Sequence, residues 1–205
     1  MAKCAILIDG GYLDKVMMND FSGSRVDIGK LGDELASPDE RLRTYLYHCM
    51  PYMSNPPTEE EKKRYSSRDK YISALKRLPR FQFRQGKLQK TSDGYRQKRV
   101  DILIAVDLVR MSSNRQIDRA VLIAGDSDLV PAIEAARDAG VVVTLYYSPN
   151  SCHNELLQNC DERVEITHNL INKVKATIAT APSQAAVPPA KVPAHSPVPI
   201  KKTGH

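Results

Sequence analysis

No apolar run in this chain approaches the roughly 20 residues that a membrane-spanning helix needs. The first ten residues also lack the charged start, apolar stretch and small-residue cleavage site of a secretory signal, and run straight into a strand-like segment. A cytoplasmic protein with no membrane contact is the expectation. Among the four cysteines, Cys4, Cys49, Cys152 and Cys160, there is no C-x-x-C pair, so a zinc site fails on spacing and free thiols are expected. Cys152 adjoins His153, but sequence neighbours rarely face each other productively, so the pair reads as chance rather than as a nucleophile and its base. Neither glycine pattern of the phosphate loops, G-x-x-x-x-G-K-[ST] or G-x-G-x-x-G, occurs.

At 205 residues the chain suits one compact domain with a sizeable core. From about Ala179 the composition turns to Ala, Pro, Ser and Val with a basic Lys201-Lys202 near the end, which cannot pack a core. The expected division is a domain over 1–175 and an inert tail over 176–205. A net charge of +6 is modest but unevenly spread, since Lys62 to Arg99 holds 14 Lys or Arg against two acids, Asp69 and Asp93. Such a stretch suits a polyanion, and nucleic acid is the expected partner. The basic region, with Arg84, Lys87, Arg96 and Arg99 as candidate contacts, would hold the phosphate backbone and read few bases. Tyr65, Tyr71 and Tyr95 are candidate stacking platforms for single-stranded bases.

The chain is organised around Arg119 to Asp128, where Arg-Ala-Val-Leu-Ile-Ala is followed by Gly-Asp-Ser-Asp. A short apolar run bounded by turn residues predicts a strand buried on both faces, with Asp126 and Asp128 at its C-terminal end. Ligands of open parallel sheets bind at that end, in the crevice where strand order reverses. Lys3 to Ile8 predicts a first strand of the same kind, closed by Asp9-Gly10-Gly11, whose glycines permit a close backbone approach before a helix near Tyr12 to Asn19.

Further along, Val26 to Leu35 predicts a helix and Arg41 to Tyr47 a strand. Thr58 and Glu61 form a capping-box signature for a helix that Pro79 ends, with Tyr65, Ile72 and Leu75 as its apolar stripe and Arg68 among the cations dressing its other side. Arg80 to Lys87 alternates as a strand, and a basic loop turning at Asp93-Gly94 follows. Val100 to Met111 predicts a buried helix on which Asp101 and Asp107 lie about 240° apart, so Asp101 can point at a site while Asp107 makes a structural bond. Leu129 to Ala136 and Thr167 to Ile178 predict helices, and Val141 to Tyr147 a further strand. Strands alternating with helices imply a parallel sheet with right-handed crossovers.

Four carboxylates therefore have predicted addresses: Asp9 after the first strand, Asp126 and Asp128 after the fourth, and Asp101 at the start of the preceding helix. If the first and fourth strands are neighbours, all four converge. An ionised carboxylate cannot be buried unpaired without a cost of several kcal/mol or more, so a positive charge belongs beside them. Hard oxygen donors on rigid elements suit Mg²⁺ or Mn²⁺, which retain waters and also bind phosphate oxygens. Such ions activate water and clamp a phosphodiester for in-line displacement. Either Asp126 or Asp128 alone reads equally well as the cap of the next helix.

At these residues a resemblance becomes specific. Ile8-Asp9-Gly10-Gly11-Tyr12-Leu13, Lys98-Arg99-Val100-Asp101 with Ala105-Val106-Asp107-Leu108, and Leu122-Ile123-Ala124-Gly125-Asp126-Ser127-Asp128-Leu129-Val130-Pro131 resemble the NYN domain family, in its bacterial LabA-like branch of PIN-like nucleases. Order and spacing match over about Met1 to Asn172. The resemblance implies a three-layer α/β domain with a parallel sheet of five or six strands in central order 3-2-1-4-5, helices on both faces, and a metal-dependent nuclease site acting on RNA in preference to DNA. It places metal ligands and catalysis at Asp9, Asp101, Asp126 and Asp128, a phosphate contact at Lys98 and a metal or water contact at Ser127. Many members carry an Asn shortly after the first aspartate, where this chain has Gly11 and Tyr12.

A non-catalytic nucleic-acid-binding or regulatory protein on the same fold is the alternative, and both a monomer and a homodimer stay open. A Toprim domain would carry a glutamate where Asp9 stands, and a haloacid-dehalogenase-type phosphatase would carry its D-x-D where Gly11 intervenes. An EF-hand is excluded because Val130 takes the ligand position after Asp126 and Asp128.

Overall fold

β-branched and aliphatic runs that lack an exposed face can be satisfied only at the centre of a sheet covered on both sides. The computed structural model, which describes residues 1–91 and 94–176, places them there. Six parallel strands form the sheet: β1 (Lys3–Asp9), β2 (Glu40–His48), β3 (Phe81–Gln85), β6 (Arg119–Ile123), β7 (Val142–Tyr147) and β8 (Glu162–Glu165). Their spatial order is β3-β2-β1-β6-β7-β8. Between β3 and β6 the strands β4 (Lys87–Thr91) and β5 (Gly94–Lys98) make a separate antiparallel pair. Counted without that pair, the main sheet runs 3-2-1-4-5-6, and the expected central order is found. The tail and the Asp93 turn lie outside the described residues.

Alternation along each strand divides the core in two. Cys4, Ile6, Ile8, Leu46, Val121 and Ile123 face α1 (Gly10–Asp20), α2 (Ile28–Ala36), α3 (Glu59–Leu75) and α7 (His168–Val174). Ala5, Leu7, Ala120, Leu122, Val143 and Leu145 face α4 (Val100–Ser113), α5 (Val130–Asp138) and α6 (Asn154–Asn159). Burial of both faces accounts for the continuous apolar run at β1, where Cys4 to Ile8 are essentially inaccessible. β1 and β6 pair directly in register, Cys4 with Arg119 through Ile8 with Ile123, and strand order reverses between them. The C-terminal end of that pair is the switch point of the sheet.

Two expectations are corrected. The basic segment after β3 is not a loop: its backbone pairs as the β4–β5 ribbon, Lys87 opposite Lys98 and Thr91 opposite Gly94. Arg68 is not on the solvated side of α3, where it is 2% exposed in line with Tyr71, Ile72 and Leu75. The sequence pattern misplaces it because a guanidinium is buried only where partners wait, and those partners, Asp14 and His48, come from distant elements. At the other end of the same helix the Thr58 and Glu61 capping box closes as the spacing predicts.

Candidate active site

Asp9 is the last residue of β1 and the N-cap of α1. Its Oδ1 accepts the backbone N–H groups of Gly11 and Tyr12 at 2.9 and 3.1 Å, which satisfies two of the amides that open the helix. Oδ2 takes no hydrogen bond among the described residues. Asp126 repeats the design one strand over, capping the short turn Ser127–Leu129 through Oδ1, which accepts the Asp128 N–H at 3.0 Å. Asp101 stands in the first turn of α4, whose Val100, Ile104, Leu108 and Met111 bury the opposite side of the helix in the core. Asp9 and Asp101 are partly buried, whereas Asp126 and Asp128 are exposed.

These carboxylates sense one another. Burial, and then the charge of Asp101, raises the Asp9 carboxyl to about 6, although the two amide bonds and the nearby His48 pull it back. Asp101 is raised by burial and then by the charges of Asp126 and Asp128. The charge of Asp101 is thus felt at Asp9, and those of Asp126 and Asp128 at Asp101. Ligand contact is another matter: among the described residues no three His, Cys, Asp or Glu side chains are gathered closely enough to grip a bare ion. The donor chemistry, carboxylate oxygens only, is of the kind that hard divalent cations take.

Close backbone approach locks the two capping acids together. A Cβ on Gly125, the residue before Asp126, would collide with the Tyr12 ring and come within 2.6 Å of the Ser151 carbonyl. Tyr12 in turn donates its N–H to Asp9 and accepts the Ser148 N–H at its hydroxyl, 2.9 Å away. Ser127, between Asp126 and Asp128, has its Oγ 3.2 Å from His153 Nδ1, and the His153 N–H donates to the Gly125 carbonyl. Sequence reasoning assigned no role to Tyr12, Gly125 or His153, because each acts through a contact with a distant segment rather than through its own chemical type.

The expected basic contacts separate into two groups. Lys87 and Arg99 are exposed, Arg99 in the left-handed region at φ +73° just before Val100 and Asp101. The side chains of Arg96, Lys98 and Tyr95 lie outside the described residues. Arg84 turns inward, its Nε 2.9 Å from Asp107 Oδ2, and the same carboxylate takes Arg110 at 2.7 Å and the buried Tyr47 hydroxyl at 3.0 Å. Asp107 therefore ties α4 to β2 and β3, away from the other acids. Tyr71 is 8% exposed, so it offers no platform to a base. A cavity of about 420 Å³, lined in part by Glu134, Arg137, Asp138 and Asp161, lies where α5 ends and β7 begins and is lined by none of the four acids.

Sheet order, crossovers and an acidic switch point define a three-layer α/β domain of PIN-like topology. The chain belongs to the NYN domain family, whose model matches residues 3–167. NYN domains are generally nucleases, hydrolases that act on nucleic acid. An uncharacterized protein of Sinorhizobium fredii, y4oD, is 32% identical over an alignment of 108 residues that covers 46% of this chain and 50% of that protein. The chain thus spans half the length of that relative. A crystal structure of a protein of unknown function from Vibrio parahaemolyticus shares the fold with a TM-score of 0.60 at 18% identity, over 85% of this chain and 96% of the other. No helix among the described residues is long and apolar enough to cross a membrane.

Proposed function

We propose that this chain is a metal-dependent nuclease of the LabA-like branch that hydrolyses phosphodiester bonds, in RNA rather than DNA, at the C-terminal ends of β1 and β6. The observation that carries the reading is the direct pairing of β1 with β6, which puts Asp9 and Asp126 after neighbouring strand ends at one sheet edge, with Asp101 near enough for its charge to raise the Asp9 carboxyl. Like charges are held this near one another at a cost, and a cation with a polyanionic substrate offsets it.

Asp9, Asp101 and Asp126 are the residues that would hold a partly hydrated Mg²⁺ or Mn²⁺, with Asp128 on the rim. When bound, the ion supplies Lewis-acid activation of water and neutralisation of phosphate charge. The chain itself supplies orientation. Backbone amides hold one oxygen of Asp9 and one of Asp126, which leaves the second oxygen of each available to a cation. Asp101, in the first turn of α4, would supply the third carboxylate. Ser127 can orient a water between Asp126 and Asp128. Lys87, Arg99, Arg96 and Lys98, with the exposed Lys62, Lys63 and Lys70 of α3, would hold the backbone of the strand. In this reading residues 1–175 form the domain, 176–205 a tail, the setting is the cytoplasm, and both a monomer and a homodimer are compatible with it.

Hydrolysis of a labelled single-stranded RNA with Mn²⁺, measured beside Asp126→Asn, tests the proposal. Cleavage by the parent protein and its loss in the variant is expected. Equal cleavage by both removes the assigned site. Cleavage by neither, with RNA retained in a steeply salt-dependent way and no response to metal, selects the non-catalytic binding protein.

A further inference from the structure

The acid cluster leaves one polar group of the same sheet edge unexplained. His48 ends β2, is 2% exposed, and its ring lies so tightly on Gly10 that a Cβ there would collide with Cδ2. Its Nδ1 accepts the Cys49 N–H at 2.7 Å and lies 3.0 Å from the Cys49 carbonyl oxygen, while its Nε2 lies 3.0 Å from Asp14 Oδ2. Arg68 of α3 reaches the same carboxylate oxygen at 3.1 Å, and its Nη2 lies 2.9 Å from His48 Nε2. Gly10 and Asp14 are one turn apart on α1, so the imidazole spans that turn from end to end.

Stability alone does not account for the arrangement. A buried ion pair roughly breaks even against apolar residues of the same volume. Here the bonding is also incomplete, because Arg68 Nε is buried without a hydrogen-bond partner among the described residues. What the three side chains do achieve is geometric. They fasten the first turn of α1 to the end of β2 and the middle of α3, and that turn presents the Gly11 and Tyr12 amides which hold Asp9. On the other side the same turn is held by Tyr12 against Gly125.

We infer that His48, Asp14 and Arg68 are positioning residues for the nuclease reaction: they set the first turn of α1, and through its amides the direction of the Asp9 carboxylate. The inference rests on the proposed nuclease reading. None of the three touches substrate. Groups that orient a metal-binding carboxylate without contacting the ion typically change affinity or activity by about 10–100-fold when removed.

His48→Ala, His48→Gln and Arg68→Lys test it, each first shown to melt cooperatively. His48→Ala and Arg68→Lys are expected to lower kcat on single-stranded RNA in Mn²⁺ by about 10–100-fold with KM within about twofold, and to weaken Mn²⁺ binding, read from free Mn²⁺ by electron paramagnetic resonance, by a comparable factor. His48→Gln keeps a donor near the Nε2 position and is expected to recover most of both. Amide hydrogen exchange at Gly11 and Tyr12 is expected to speed up in His48→Ala while the β1 amides stay protected. Unchanged kcat with a raised KM would mean a substrate contact and overturn the inference. So would unchanged exchange at Gly11 and Tyr12. If the parent protein neither cleaves RNA nor binds Mn²⁺ while that exchange still rises, the nuclease reading falls and with it the catalytic purpose, leaving only the control of Asp9.

Discussion

Replacing Asp9 by Asn should make the metal-free protein more stable at neutral pH while abolishing its activity. In the folded protein this carboxyl is raised to about 6 from an ordinary 3.8, first by burial and then by Asp101. A folded-state value above the unfolded one means that the protonated carboxyl favours folding. That contribution is complete below pH 3.8 and is lost as pH rises through about 6. At pH 8 the ionised Asp9 thus costs at most about 3 kcal/mol, and about 2 kcal/mol once its partial exposure is allowed for. Asn caps a helix as well as Asp does and carries no charge, so Asp9→Asn recovers that amount. For a domain of this size the gain corresponds to a Tm higher by about 4–8 °C at pH 8, shrinking to nothing at pH 4. Thermal melts in EDTA across that pH range read it directly. With Mn²⁺ added the order should narrow or reverse, because only the parent protein gains stabilisation by ligand binding. A variant no more stable than its parent at pH 8 in EDTA, or one whose advantage persists at pH 4, refutes the reasoning.

Gly125→Ala should cost about 1–3 kcal/mol in urea unfolding, because its Cβ meets the Tyr12 ring and a backbone carbonyl, and should reduce RNA cleavage by displacing Asp126. Asp107→Ala should cost about 3–5 kcal/mol by stranding Arg84 and the buried Tyr47 hydroxyl, and Tyr47→Phe only about 1 kcal/mol. In the double variant the two losses should fall short of additivity, and additive losses would show that the pair does not interact. Changing Lys62, Lys63 and Lys70 together to Gln should lower the slope of log affinity against log salt for single-stranded RNA by about 2, leaving Mn²⁺ binding intact. An unchanged slope would remove α3 from the nucleic-acid face.

Much of the fold was legible because it rests on local patterns. Apolar runs at Lys3 to Ile8 and Arg119 to Ala124 can only be interior parallel strands, and Thr58 with Glu61 marks a helix start whatever surrounds it. The β4–β5 ribbon was not legible, since a basic stretch with a turn in it gives the same pattern as a loop. Nor was the inward turn of Arg84 or the burial of Arg68, because a cation is read as solvated unless the carboxylate that receives it is known.

The four acids illustrate both sides of that boundary. Sequence alone determined that Asp9, Asp126 and Asp128 follow buried strands and that Asp101 opens a helix, since strand ends and caps depend on nearest neighbours in the chain. Only the tertiary structure decided that β1 and β6 lie side by side, that Asp101 faces the field of Asp126 and Asp128, and that His48 and Tyr12 grip the turn holding Asp9. Pairing of distant strands and close approach at glycine depend on the whole core closing at once, which no local pattern encodes.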